Sequence, residues 1–304
     1  MVNNITILED KPSDVQFIYH MSDIHIKAII NTDLKEHYLD IIEQVCSVVS
    51  KTQNSLIVIC GDTLDTIYST DCISMIRYLF HRLANIMPVI YIIGNHEMSS
   101  KKDQTQADMI SPLVSNYFES KYKIYPLIDE GLYQYNNIIF GLTKMKSVEV
   151  YPCKISDKRF IKIALHHGQV SHDKLDSIVK KQCNLNYNQF EQYYDLTLLG
   201  DCHSHCYLNS NKTIAYSGSL YEVNYRETDI PKGLIRWNLT NKKSEFIRIE
   251  GIIKHVMINV KDGLLVYDKN KMPQKARIKI IYANTTHDEL NIEFKQIPYS
   301  LYGN

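Results

Sequence analysis

Five apolar runs in this chain each end on side chains that can hold a cation or move a proton, and this recurrence limits the fold more than any other feature of the sequence. "VQFIYHMSDIH" closes on Asp23 and His25, "SLIVICGD" on Gly61 and Asp62, and "VIYIIGNHE" on Asn95, His96 and Glu97. Further on, "IKIALHHG" closes on His166 and His167, and "LTLLGDCHSH" on Asp201, His203 and His205. Runs this short and this apolar predict strands covered on both faces. Helical patterns lie between the first three. After the capping-type residues Asn31, Thr32 and Asp33, the apolar positions Leu34, Tyr38, Ile41, Ile42, Val45, Val48 and Val49 recur at helical spacing, and "ISMIRYLFHRLANI" reads as a second helix. Strand and helix in alternation predict an α/β fold, and open α/β sheets gather functional side chains beyond the carboxyl ends of their strands.

The pattern changes after "ADMISPLVSNYF", a third helical segment in which Pro112 must sit near the start or produce a kink. From there the chain reads as strand-rich: "KIYPLI", then "GLYQYNNIIFGLT" with a hairpin turn at Asn136 and Asn137, then "FIKIALHHG". "FEQYYD" predicts a short helix before "LTLLG", and "TIAYSGSL", "KGLIRWNL" and "EFIRIE" predict strands. From about Ile252 come the strand-like runs "HVMINV" and "ARIKIIYA", so the expected division is a large domain over 1–251 and a small capping domain over 252–304.

Charge narrows the partners. Lys plus Arg and Asp plus Glu both number 34, so the whole molecule has no bulk attraction for a polyanion, and nucleic-acid binding must come from a local basic patch or from bound metal. The opening "MVNNITILEDKPSDVQF" lacks the basic start and apolar core of an export signal, and no run approaches the roughly 18 apolar residues of a membrane span. An intracellular chain, cytoplasmic or nuclear and not in a membrane, is the expectation. Seven cysteines without a framework spacing are expected as reduced thiols. Cys202 and Cys206 lie four apart with no second pair to complete a tetrahedral zinc site.

A polar residue after a buried strand is ordinarily a turn, and each run taken alone supports no more. Together the five place carboxylates and imidazoles along one sheet edge, a crowd that would suffer large like-charge and desolvation costs without cations. Asp23 and His25, two apart, can point the same way and share an ion. Gly61 lets the chain turn sharply ahead of Asp62. Asp, Asn and His donors without thiolate suit manganese, iron, zinc or magnesium, in numbers sufficient for two ions sharing a carboxylate.

The ordered set "SDIH", "GDTLD", "GNHE", "LHHG" and "GDCHSH" resembles the calcineurin-like metallophosphoesterase superfamily over about residues 16 to 240. Within it, "DLTLLGDCHSH" followed by "IAYSGSLYEVNYRE" and "KGLIRWNL" is similar to the SbcD-type nucleases, catalytic subunits of double-strand-break repair complexes. The resemblance implies a four-layer α/β/β/α sandwich with a small C-terminal α+β cap, and two divalent ions, manganese foremost. It implies that Asp23, His25, Asp62 and His203 hold one ion, and that Asp62, Asn95, His166 and Asp201 hold the other. His96 would act on the phosphate or the leaving oxygen, with Asp65 and Glu97 orienting histidines from behind. An SbcC-type ATPase partner, DNA as substrate, and a homodimer through helices around 73 to 86 or 107 to 118 follow from the same likeness.

One departure stands out. The family usually shows Gly-His-x-His where this chain has Gly200, Asp201, Cys202 and His203. An added carboxylate makes the site about one charge more negative, which favours manganese or magnesium over zinc. A slipped register would use His203 and His205 instead. For the rest, His20 is expected to pack beside its strand end, His167 to be a neighbour or a substrate contact, Cys202 and Cys206 to face inward, Lys101 and Lys102 to meet phosphate or to lie in a solvated loop, and most tyrosines to be core or half-buried strand residues. The function expected is a metal-dependent DNA nuclease in repair or recombination. The competing readings are a phosphoesterase for small molecules or phosphoproteins and a scaffold without catalysis.

Overall fold

The computed structural model describes residues 4–9, 14–29, 31–65, 69–97, 110–114, 119–171, 183–261, 264–266 and 273–283. Two sheets lie face to face. The first takes its parallel centre from β2 (Phe17–Met21), β3 (Ser55–Cys60), β4 (Val89–Ile92) and β5 (Ile124–Leu127), with β14 (Gly233–Asn238) and β15 (Lys243–Arg248) added antiparallel beside β2. The second runs in the order β1 (Ile5–Glu9), β6 (Gly131–Tyr135), β7 (Ile138–Thr143), β8 (Ile161–His167), β11 (Leu196–Gly200), β13 (Ile214–Tyr216), β12 (Cys206–Tyr207). Short strands β9 (Val170–Ser171) and β10 (Leu185–Asn186) pair separately. The β6–β7 hairpin turns at Asn136, whose φ of 48° is the left-handed conformation that asparagine tolerates in such turns.

β3 and β4 are buried throughout, and apolar but for Ser55 at the start of β3, because both faces are covered. Ile18, Leu56, Val58, Ile90 and Ile92 meet Phe140, Ile163, Leu165, Leu196, Leu198 and Trp237 between the sheets. Ile57, Ile59, Val89 and Tyr91 on the opposite face meet the apolar stripes of α1 (Thr32–Val49) and α2 (Thr70–Ala84). α1 begins where the sequence predicts: the Asn31 side chain accepts the Leu34 N–H at 2.9 Å. Within the third helical segment only α3 (Ser111–Val114) is described; 107–109 and 115–118 lie outside the described residues. The outer face of the second sheet is covered by α4 (Tyr187–Glu191) and by the stretch around Val150 and Cys153, so the layers follow the expected α/β/β/α order. α4 starts three residues earlier than "FEQYYD" suggested, because Asn186 and Gln189 form a capping box there.

A third sheet, β16 (Ile253–Lys261), β17 (Leu264–Val266) and β18 (Lys275–Ala283), follows the sandwich. It is tied to the body by the His255 N–H donating to Glu222 at 2.6 Å, the Ile253 N–H donating to His37 Nδ1 at 3.2 Å, and Lys275 donating to Asp33 and Glu36 at 2.9 Å. Among the described residues no helix is long and apolar enough to cross a membrane. None of the seven cysteines is in a disulfide, and Cys202 and Cys206 pack partly against the outer core of the second sheet.

Candidate metal centre

The polar tips of β2, β3, β4, β8 and β11 meet at one end of the sandwich. Asp62, just past β3, is the hub. Its Oδ2 lies 3.4 Å from His167 Nε2, 3.7 Å from His25 Nε2 and 3.9 Å from His96 Nε2, and its Oδ1 accepts the His96 N–H at 3.0 Å. Asp23 Oδ1 lies 3.9 Å from both His25 Nε2 and His203 Nε2, and those two ring nitrogens face each other at 3.0 Å. The Asp201 N–H donates to both Asp23 oxygens at 3.1 and 3.2 Å, which brings its carboxylate to 3.9 Å from His167. Asn95 Oδ1 is 3.0 Å from His167 Nε2.

Local backbone geometry is bent to this purpose. Asp23, His25, Asp62 and Asp201 all have left-handed backbones, with φ of 53°, 46°, 52° and 98°, conformations that cost non-glycine residues energy and concentrate at functional sites. Gly61, at φ 83°, turns beside His167 where any Cβ would collide with the imidazole. Gly200 passes so close to the Cys60 carbonyl that a Cβ would overlap it. These two positions let the tips of the two sheets approach.

The donor set fits divalent metal. Asp23, His25 and His203, then His25, Asp62 and His96, then Asp23, Asp62 and His167 each offer atoms within 4.8 Å of one another. All are oxygen or imidazole donors. Asp23, His25, Asp62 and His167 are at most 2% exposed, an arrangement that needs compensating positive charge. Protons can supply it: burial opposes a charged His167, but Asp62 overrides burial and raises its pKa to about 10, while burial raises and His167 then lowers Asp62 to about 2. Burial keeps His25 neutral, with a pKa of about 3, the form a ligand must have.

Several expected residues sit elsewhere. His166 does not join the cluster: its Nδ1 lies 2.9 Å from the Thr143 carbonyl and its ring packs against Phe190 on the outer face of the second sheet. Strand alternation makes His167 the inward residue, in phase with Ile163 and Leu165. His205 turns away as well, its Nδ1 2.9 Å from the Tyr216 carbonyl and its ring stacked on Phe246 at 4.4 Å, so the slipped register has no geometric support. Asp65 does face a histidine, lying 3.1 Å from His96 Nδ1, and this contact leads the factors that raise the pKa of His96. Among the described residues Glu97 bonds to no histidine; it accepts the N–H groups of Asp62, Leu64 and Gly94 at 3.0, 3.0 and 2.6 Å and so fixes the loops that carry the donors. His20 is buried against the Leu199 carbonyl, 3.1 Å away. Lys101 and Lys102 lie outside the described residues.

Three contacts were not foreseen. Ser22 donates to Asp23 and meets Ser217 at 2.8 Å, and Glu227 Oε1 accepts from His203 Nδ1 at 2.6 Å. Glu227 lies 24 positions beyond its histidine, in the 3₁₀ turn Tyr225–Glu227, where no spacing rule points to it.

The chain belongs to the calcineurin-like phosphoesterase family, whose model matches residues 18–207. It is 32% identical over 297 residues to the uncharacterized protein R555 of Acanthamoeba polyphaga mimivirus, a match covering 93% of this chain and 22% of that protein. It is 25% identical over 251 residues to the SbcD component of the nuclease SbcCD from Staphylococcus saprophyticus, covering 74% of this chain and 66% of the relative. The Staphylococcus epidermidis protein of the same name is 26% identical over 249 residues, covering 71% and 64%. The chain therefore spans 22% of the viral relative's length and just under two thirds of the staphylococcal ones.

Proposed function

We propose that this phosphoesterase is a two-metal phosphodiester hydrolase that cuts DNA, in repair or recombination. The observation that carries the chemistry is Asp62 standing among three imidazoles at 3.4 to 3.9 Å, with Asp23, Asp201 and Asn95 around them. Asp23, His25, Asp62 and His203 would hold one ion; Asp62, Asn95, His167 and Asp201 would hold the other. Three carboxylates in the set favour manganese. Metal bound there would supply Lewis acidity and lower the pKa of its water toward neutrality.

The chain's own residues do the rest. His96 is only partly covered, its side chain 27% exposed, and its Nδ1 faces Asp65. That leaves Nε2 to give a proton to the departing oxygen as the P–O bond breaks, and Asp65 keeps the proton available by raising the imidazole's pKa. Asp62 and Asp23 stay fixed by backbone N–H groups of neighbouring tips, so the donors need no rearrangement during turnover. The nuclease reading draws support from the staphylococcal SbcCD relatives. DNA as substrate, an SbcC-type ATPase partner, pairing of two copies through the helices of the first half, and an intracellular location belong to the same proposal.

The balanced charge of 34 basic and 34 acidic residues favours a second reading, a phosphoesterase for small molecules or phosphoproteins. The test is to incubate the chain with manganese and, separately, linear duplex DNA, single-stranded DNA, a cyclic nucleotide and a bis-aryl phosphate. DNA cleavage is expected, with a loss of about 100-fold or more in His96→Ala, the scale of a general acid. Cleavage of small substrates alone would select the second reading, and manganese-dependent cleavage of none would indicate a non-catalytic scaffold.

A further inference from the structure

We propose that the buried Glu227–Lys232 ion pair is the positioning device for His203, holding its imidazole in the orientation and tautomer that turn Nε2 toward Asp23 and His25. The inference rests on the reading of His203 as a metal ligand. Glu227 is 5% exposed and Lys232 4%, whereas the His203 side chain is 26% exposed. Each polar atom of the pair is committed. Glu227 Oε1 accepts from His203 Nδ1 at 2.6 Å and from the Asn224 amide; Oε2 accepts from Lys232 Nζ at 2.6 Å and from the Val223 N–H at 2.9 Å. Lys232 Nζ also donates to the His203 carbonyl and to Ser219 Oγ, both at 2.9 Å.

One pair thus grips His203 at two points, ring and backbone. A carboxylate can only accept, so Nδ1 carries the hydrogen, and in the neutral ring a ligand must present, the Nε2 lone pair lies on the side of Asp23, 3.9 Å away. The turn bearing Glu227 is itself anchored: Asn224 caps it by accepting the Arg226 N–H at 2.9 Å, and Thr228 donates to the His255 carbonyl at 3.1 Å. Buried ion pairs contribute little net stability compared with apolar residues of like volume, so a pair this completely bonded is better explained by what it positions.

Manganese titration followed by electron paramagnetic resonance of the free ion tests this without reference to turnover. The unaltered chain should take up two ions. In Glu227→Gln and Lys232→Met, one binding step should weaken about 10- to 100-fold, the scale of lost support behind a ligand, while the other is unchanged. The double variant Glu227→Gln with Lys232→Met leaves no lone buried charge, so it keeps the test open if either single variant fails to fold, as thermal unfolding would report. Folded variants that bind both ions as tightly as the unaltered chain would overturn the inference alone. Equal weakening of both steps in proportion to lost thermal stability would reduce the pair to a structural role and also overturn it. A chain that binds no manganese at all would remove the reading of the site together with the inference.

Discussion

Replacing the two adjacent histidines of β8 one at a time separates a ligand from a packing residue. His166→Leu removes the hydrogen bond at 2.9 Å to the Thr143 carbonyl, in a place that is 1% exposed, and keeps an apolar side chain against Phe190. A carbonyl left unpaired there costs about 1–3 kcal/mol, and each kcal/mol lowers the melting temperature by about 2–4 °C in a chain of this size. Manganese binding and hydrolysis should be retained. His167→Leu removes the contacts to the Cys60 carbonyl at 2.7 Å, to Asn95 at 3.0 Å and to Asp62 at 3.4 Å. Asp62 then loses its nearest buried counter-charge, a change of about 3–5 kcal/mol in the metal-free protein. One manganese per chain should disappear and hydrolysis with it. Thermal melts in chelator, with metal counted by mass spectrometry after dialysis against manganese, give both readouts. Loss of an ion in His166→Leu and its retention in His167→Leu would refute the assignment.

Two further outcomes follow from the same geometry. Asp201→His removes one negative charge beside His167 and should move the ratio of zinc- to manganese-supported activity toward zinc; an unchanged ratio across metals would count against the charge argument. Burial lowers the pKa of His37 to about 3, against about 6.5 in an unfolded chain, so below pH 6.5 the unfolded state binds a proton that the folded state refuses. The stability present above pH 6.5 is therefore lost as pH falls toward 3, by about 1.4 kcal/mol per pH unit for this residue. His37→Gln, which keeps an acceptor for the Ile253 N–H, should flatten urea-unfolding free energies between pH 4 and 6.5 by that slope; an unaltered slope would show that His37 is not the group.

Much of the site is visible in the sequence because a strand buried on both faces announces its own end. The last apolar residue of β2, β3, β4 and β11 is followed within a few positions by a donor, and Asp23, His25, Asp62, Asn95, His96, Asp201 and His203 all meet. The choice between His166 and His167 is a different matter. Where only one face of a strand is buried, polar and apolar residues alternate and reveal which way each points; β8 is covered on both faces, so the alternation carries no phase. Glu227 is invisible for another reason: its partner is chosen by the path of the chain from β13 through the 3₁₀ turn, a tertiary fact with no local signature. The early start of α4 was legible, since Asn186 with Gln189 three residues later is a capping-box pattern. Among the described tyrosines, Tyr19, Tyr91, Tyr194 and Tyr221 are interior, whereas Tyr78, Tyr133 and Tyr207 are half-buried.

Anomalous scattering from crystals grown with manganese addresses the centre itself. The account predicts two peaks about 3.5–4 Å apart, the spacing of paired catalytic ions, with Asp62 between them, His203 at one and His167 at the other. Maps with no peak among these side chains, or with a peak bound by His166 or His205, would contradict it.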